Sequence, residues 1–178
     1  MILALPIFYL SILTVFLLIL NWLILQQLKT ILSLESQFKY FVEKRQNDIL
    51  EAEESFAFAK ICVAKKCFSK AIIEGQLALK KKSELNVKEE NIIIANLHNM
   101  LGFIYFEAKQ IDIAKNFYQQ ALQIDPNYVV ALNNLAKIYE ENKDFKKAED
   151  LYDKVLSLNF NNKTANRRKS FIKKMQNA

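Results

Sequence analysis

Reactive side chains are few in this chain. His98 is its one histidine, and Cys62 and Cys67 are its only cysteines. General-base catalysis most often uses a histidine set beside a nucleophile or carboxylate, and a structural zinc site needs about four Cys or His ligands. One histidine and two cysteines five positions apart supply neither. No Gly-rich phosphate loop, H-E-x-x-H motif or nucleophile elbow is present. The two cysteines read as reduced, semi-buried thiols, or as a disulfide where local geometry permits one. No catalytic residue, metal or cofactor is therefore expected. The chemistry left is recognition. Asn96, Asn99 and Asn133 carry amides able to hold an extended polypeptide by its backbone. Phe103 and Phe106 offer an aromatic platform, Val130 an apolar contact and Lys137 a cation. These side chains can act together only if helices bring them onto one face.

The sequence specifies such helices by repetition. In residues 95–128, Leu101-Gly102 is followed by Tyr105, Ala114, Tyr118, Ala121 and Pro126. In residues 129–162, Leu135-Ala136 is followed by Tyr139, Ala148, Tyr152, Val155 and Phe160. The offset is 34 positions and the motif is the tetratricopeptide pattern, L-G-x-x-Y…A-x-x-x-F…P. Each unit reads as a helix hairpin whose stripe repeats at spacings of three and four. Gly102 is small enough to let the second helix approach, and Pro126 marks the turn after it. Phe160 replaces that proline, which leaves the second turn less well specified. His98 stands where the pattern prefers Trp and reads as a packing residue.

A degenerate unit, 52–85, carries Phe58-Ala59, Ala71 and Ala78 at matching positions, with Cys62 for the tyrosine and Gly75 for the large aromatic. Residues 86–94 separate it from the next unit. Residues 163–178 form a basic capping helix or tail, for which Asn161 and Asn162 are candidate starters. About three stacked units with caps suffice for a stable solenoid. The seven recognition residues then lie on first helices, opposite the Leu/Gly/Tyr stripe, on the concave side. Phe103 and Phe106 fit contact with the preceding helix pair equally well. The groove lacks the several Lys and Arg needed to clamp terminal carboxylates, which disfavours chaperone-tail binding.

Residues 1–28 contain no Asp, Glu, Lys, Arg or His. As a helix, the run from Ile2 to Leu25 is about 36 Å long, against a hydrocarbon core of about 30 Å. It reads as an uncleaved transmembrane anchor, because it lacks a basic n-region and a small-x-small cleavage site. Lys29, Lys39, Lys44 and Arg45 follow it, so the positive-inside rule places the remainder on the cytosolic or stromal side. Residues 29–51 read as a helical connector. The whole is an all-α chain: a transmembrane helix, then an α-solenoid of about three tetratricopeptide hairpins and a C-terminal capping helix.

Net charge is +6, and its source is local. Residues 163–178 hold Lys163, Arg167, Arg168, Lys169, Lys173 and Lys174 and no acid; elsewhere nineteen basic residues balance nineteen acidic ones. This tail reads as a solvated helix end, or as a contact for anionic lipid or an acidic partner. A nucleic-acid partner is not expected, because no basic stripe or nucleic-acid motif occurs elsewhere. No small-molecule substrate is expected either.

An anchor, a short helical connector and about three tetratricopeptide units, Leu101-Gly102 through Pro126 and its copy being the most specific, resemble the hypothetical chloroplast open reading frame 37 family. That resemblance implies a thylakoid membrane protein with its repeats in the stroma. It also implies a role in photosystem I assembly or stability, with photosystem I subunits or assembly factors as partners. An organelle protein-import receptor that binds amphipathic targeting helices shares the same layout and is the competing expectation.

Overall fold

The computed structural model describes residues 4–85 and 91–176, and the side chains of residues 8–82 and 92–176. Residues 1–3 of the expected anchor, 86–90 of the expected 86–94 separator and the last two residues of the tail lie outside the described residues. All regular structure among the described residues is α-helical: α1 (Ala4–Asn47), α2 (Ala52–Ala64), α3 (Phe68–Leu85), α4 (Asn91–Glu107), α5 (Ile111–Ile124), α6 (Val129–Glu141), α7 (Phe145–Leu158) and α8 (Lys163–Gln176). The chain divides into two units, residues 1–49 and 50–178.

The first unit is α1. It runs unbroken from the expected anchor into the expected 29–51 connector and ends at Asn47, without Gly and with its one Pro near the start. It is long and apolar enough to cross a membrane. Two hydroxyls in its apolar stretch bond to the helix itself: Ser11 Oγ donates to the Phe8 carbonyl at 2.7 Å, and Thr14 Oγ1 to that of Ser11 at 2.8 Å. In an apolar medium that pairing is what makes such residues tolerable.

The second unit is an α-solenoid in which α2–α3, α4–α5 and α6–α7 pair as hairpins and α8 packs on the last of them. Each hairpin reverses through one lysine in the left-handed region: Lys66 (φ 58°), Lys109 (φ 63°) and Lys143 (φ 60°). The closing bonds match. Cys67 N–H donates to the Cys62 carbonyl, Gln110 to Tyr105 and Asp144 to Tyr139, at 2.8–2.9 Å. These six-to-one bonds satisfy carbonyls that the helix end would otherwise leave unpaired. The degenerate 52–85 segment thus turns by the same device as the two well-matched repeats.

The turns that follow α5 and α7 also match, despite their different residues. Asp125 N–H donates to Ala121 O and Tyr128 N–H to Asp125 O; 34 positions on, Asn159 pairs with Val155 and Asn162 with Asn159. Phe160 therefore occupies the turn that Pro126 occupies, and is almost fully exposed there. Asn162 Oδ1 then accepts the Ala165 N–H at 3.0 Å and starts α8.

The core is continuous between hairpins because its largest members reach both ways. Ala114 and Tyr118 of α5 pack with Phe106 of α4 and with Leu135 and Ile138 of α6. Tyr152 and Val155 of α7 pack with Leu132 and Ala136 of α6 and with Ala165 and Ile172 of α8. Each fully buried large side chain of this kind stabilises the fold by about 1.5–3 kcal/mol.

Candidate functional site

The exposed line of side chains across α4 and α6 follows from the repeat. At a 34-residue offset, Asn96 pairs with Val130, Asn99 with Asn133, and Phe103 with Lys137. Spacings of three and four keep each triplet on one helix face. The buried positions obey the same register: Leu97 and Ile104 of α4, Ala131 and Ile138 of α6, and Ala165 and Ile172 of α8 are all 0–2 % exposed or less. Helix α8 thus stacks on α6–α7 as α6 stacks on α4–α5.

Among the expected recognition residues, Phe103, Val130 and Lys137 are exposed, and Asn96, Asn99 and Asn133 are half-buried. Asn133 Nδ2 donates to the Val129 carbonyl at 3.0 Å, while its Oδ1 is buried with no hydrogen-bond partner among the described residues. Asn99 is already engaged: its Oδ1 accepts from Asn134 Nδ2 at 3.0 Å. Its first role is therefore to bridge α4 and α6.

Phe106, on α4, is buried and packs with Ala114 and Tyr118 of α5 and with Leu135 and Ile138 of α6. Lys137 Nζ sits 4.4 Å from its ring centroid, so the cation covers the aromatic face. A small pocket remains between Phe103, Phe106, Tyr118, Asn134 and Lys137. Lys137 also approaches Glu141 at 3.9 Å.

One position of this site escaped sequence reasoning. The residue 34 beyond Phe106 is Glu140, a buried carboxylate. It accepts from Tyr152 Oη at 3.1 Å and from Arg168 Nε at 2.9 Å, and its second oxygen takes another Arg168 N–H. Phe106 and Glu140 do one job with different chemistry: each fastens the next first helix to its own hairpin. The available signal was the offset itself, which places a glutamate where a free aromatic platform was expected. Arg168, counted among the tail charges, is thereby committed to the core edge, and Lys169 pairs with Asp153.

The residues with reactive side chains sit away from this line. Cys62 is buried and Cys67 half-buried, both as free thiols. Burial, with the neighbouring Cys67, pushes the Cys62 thiol up to about 11, which leaves little thiolate at neutral pH. His98 lies 5.9 Å from the Phe117 ring, and burial lowers its pKa against an opposing hydrogen bond to Gln120. No group of three metal-ligating side chains occurs among the described residues.

Comparison with known proteins agrees with this geometry. Residues 93–159 match the tetratricopeptide repeat family model. The chain is 80 % identical over 177 residues to "Uncharacterized protein ycf37" of Pyropia yezoensis, covering 99 % of each. It is 61 % identical to the protein of the same name from Porphyra purpurea, covering 97 % of this chain and all of the relative. Among solved structures, the first tetratricopeptide domain of Spaghetti (RPAP3), bound to the HSP90 peptide SRMEEVD, superposes with a TM-score of 0.62 at 17 % identity, covering 74 % of this chain and 97 % of that one. With hairpins, register and near-full-length relatives in agreement, the chain belongs to the ycf37 family of tetratricopeptide-repeat proteins.

Proposed function

We propose that this protein is a membrane-tethered adaptor of the plastid thylakoid. In this reading α1 spans the bilayer, and the solenoid holds a protein partner on the stromal side during assembly or maintenance of photosystem I. The observation that carries the reading is one exposed line of recognition residues on the repeats of a chain that also holds a membrane-length apolar helix. Phe103, Val130 and Lys137 are open there. Amide, aromatic and single-cation groups suit an extended polypeptide segment and provide no bond-breaking chemistry. Tethering confines both binding partners to one surface, where effective concentration compensates for modest affinity. Thylakoid location and the photosystem I connection come from the family resemblance, and the orientation from the lysines and arginine after the apolar run.

The test is disruption of the gene, with photosystem I content and activity measured in the thylakoids, together with affinity purification of the full chain from detergent-solubilised membranes. Reduced photosystem I and its subunits or assembly factors in the eluate are expected. Unchanged photosystem I content and activity would sink this reading, and fractionation to an outer organelle membrane would favour the import-receptor alternative.

A further inference from the structure

Helix α8 stands in the register of a first helix, one repeat beyond α6. Ala165 and Ile172 occupy the buried positions of Ala131 and Ile138, one repeat earlier, and are themselves fully buried. The positions that would face a second helix, occupied by Leu132, Leu135, Ala136 and Tyr139 in α6, are Asn166, Lys169, Ser170 and Lys173 in α8. Polar residues there close the solenoid. The concave positions tell a different story. The residue in register with Asn99 and Asn133 is Arg167, the one with Phe103 and Lys137 is Phe171, and the one with Phe106 and Glu140 is Lys174.

All three of these α8 side chains are exposed, Phe171 at 45 %, close to the exposure of Phe103. Arg167 and Lys174 form no ion pair or hydrogen bond among the described residues, whereas their neighbours Arg168 and Lys169 are paired into the fold. Arg168 lies against the Phe171 ring, 5.4 Å from its centroid, and holds it in place. The capping helix therefore presents an ordered aromatic between two uncommitted cations, on the line already drawn by α4 and α6. The acids near that line are Glu140, which Arg168 and Tyr152 satisfy, Glu141, which Lys137 approaches, and exposed Glu107. Positive charge thus accumulates toward the α8 end, although as a sequence this groove looked poor in Lys and Arg.

We infer that α8 completes the partner-binding groove and selects an acidic, extended protein segment, its successive carboxylates held by Arg167 and Lys174 and an intervening apolar side chain seated on Phe171. This inference rests on reading the concave line as the binding surface and adds the chemical class of what it holds. A guanidinium pairs with a carboxylate through two parallel hydrogen bonds, so Arg167 is the discriminating residue. A second copy of this chain is a poor occupant, because it would bring the same positive edge.

The experiment uses the full chain in lipid nanodiscs and three fluorescent ten-residue probes: an extended peptide of alternating Asp and Leu, its Asn-for-Asp isostere and its Lys-for-Asp counterpart. Anisotropy titrations are run at about 50 and 500 mM salt. The Asp peptide is expected to bind at least about tenfold tighter than the Asn peptide and to weaken at high salt as surface charges are screened. The paired change R167E/K174E should reverse the preference toward the Lys peptide, and F171A should weaken the Asp and Asn peptides alike. These residues are exposed, so thermal unfolding should match the parent protein. Equal binding of Asp and Asn peptides, or no response to R167E/K174E, would overturn the inference. If F103A abolishes binding while the α8 variants do not, the groove reading stands and the α8 extension fails. If no peptide binds at either salt, both fail; if α8 is instead shielded only in nanodiscs containing phosphatidylglycerol, its cations serve lipid and the inference is overturned.

Discussion

A Cβ added to Gly102 would lie 2.7 Å from two ring carbons of Tyr118 and 3.2 Å from the Ala114 carbonyl oxygen. The first contact is closer than carbon atoms approach, and Tyr118 is fully buried with nowhere to retreat. The closeness of α4 and α5, and with it the placing of Phe103 and Phe106 around the small pocket they share with Tyr118, depends on that missing methyl.

For G102A the expected cost is about 1–3 kcal/mol of overpacking, offset in part by about 1 kcal/mol of helix propensity. A net loss of stability should appear in denaturant melts of the repeat unit. Gly75 is the contrast. Its added Cβ would meet only Leu101 Cδ2 and Met100 Cε, both at 3.1 Å and both ends of flexible side chains. G75A should therefore be close to neutral, and equal losses for the two variants would contradict the argument.

Removing Arg168 leaves Glu140 charged and buried, with only Tyr152 as partner. R168M should cost about 2–4 kcal/mol, because an uncompensated buried charge costs more than the pair contributes. E140M combined with R168M should cost less than the two single changes summed. Additive losses in a double-mutant cycle would show that the two residues do not act as a unit.

Lys66, Lys109 and Lys143 hold left-handed backbone in three equivalent turns. Such a conformation costs a residue with a Cβ about 1 kcal/mol that glycine avoids. Glycine at each of the three should stabilise the protein by about 0.5–1 kcal/mol, less its greater freedom when unfolded. A lower midpoint in any of these variants would point to a contact made by that lysine.

Burial holds the His98 pKa below its ordinary value of 6.5, despite the hydrogen bond to Gln120. The charged form is thus favoured in the unfolded chain. Stability contributed by neutral His98 is complete above pH 6.5 and declines as pH falls from there toward the lower folded-state value, since the unfolded chain takes up the proton first. H98F keeps an aromatic beside Phe117 and should flatten stability between about pH 7 and 5. Glu53 and Asp144, held low by hydrogen bonds from Lys82 and Lys147, lose their contributions only in the more acidic carboxylate range. An unchanged slope in H98F would reassign the effect to another group.

Much of this molecule was legible in its residues. Periodicity at 34 positions is a local, repeated pattern of side-chain size, and it sets hairpins and stacking together because each unit must bury its stripe on the next. The length and apolarity of α1 were likewise written in composition. The three reversing turns were not, because lysine carries no signal for left-handed backbone where glycine would have announced it.

By itself the sequence determined the all-helical solenoid, the apolar N-terminal helix and, through the 34-residue register, which residues share a face of α4 and α6. Tertiary structure alone decided which residues on those faces remain open. Phe106 fitted either an open platform or a packing contact, and Arg168 was counted with the tail; α6 packs against the first and Glu140 claims the second. The availability of a side chain depends on what the neighbouring helix brings to within a few ångströms of it, and that distance is set by close packing between repeats rather than by spacing along the chain.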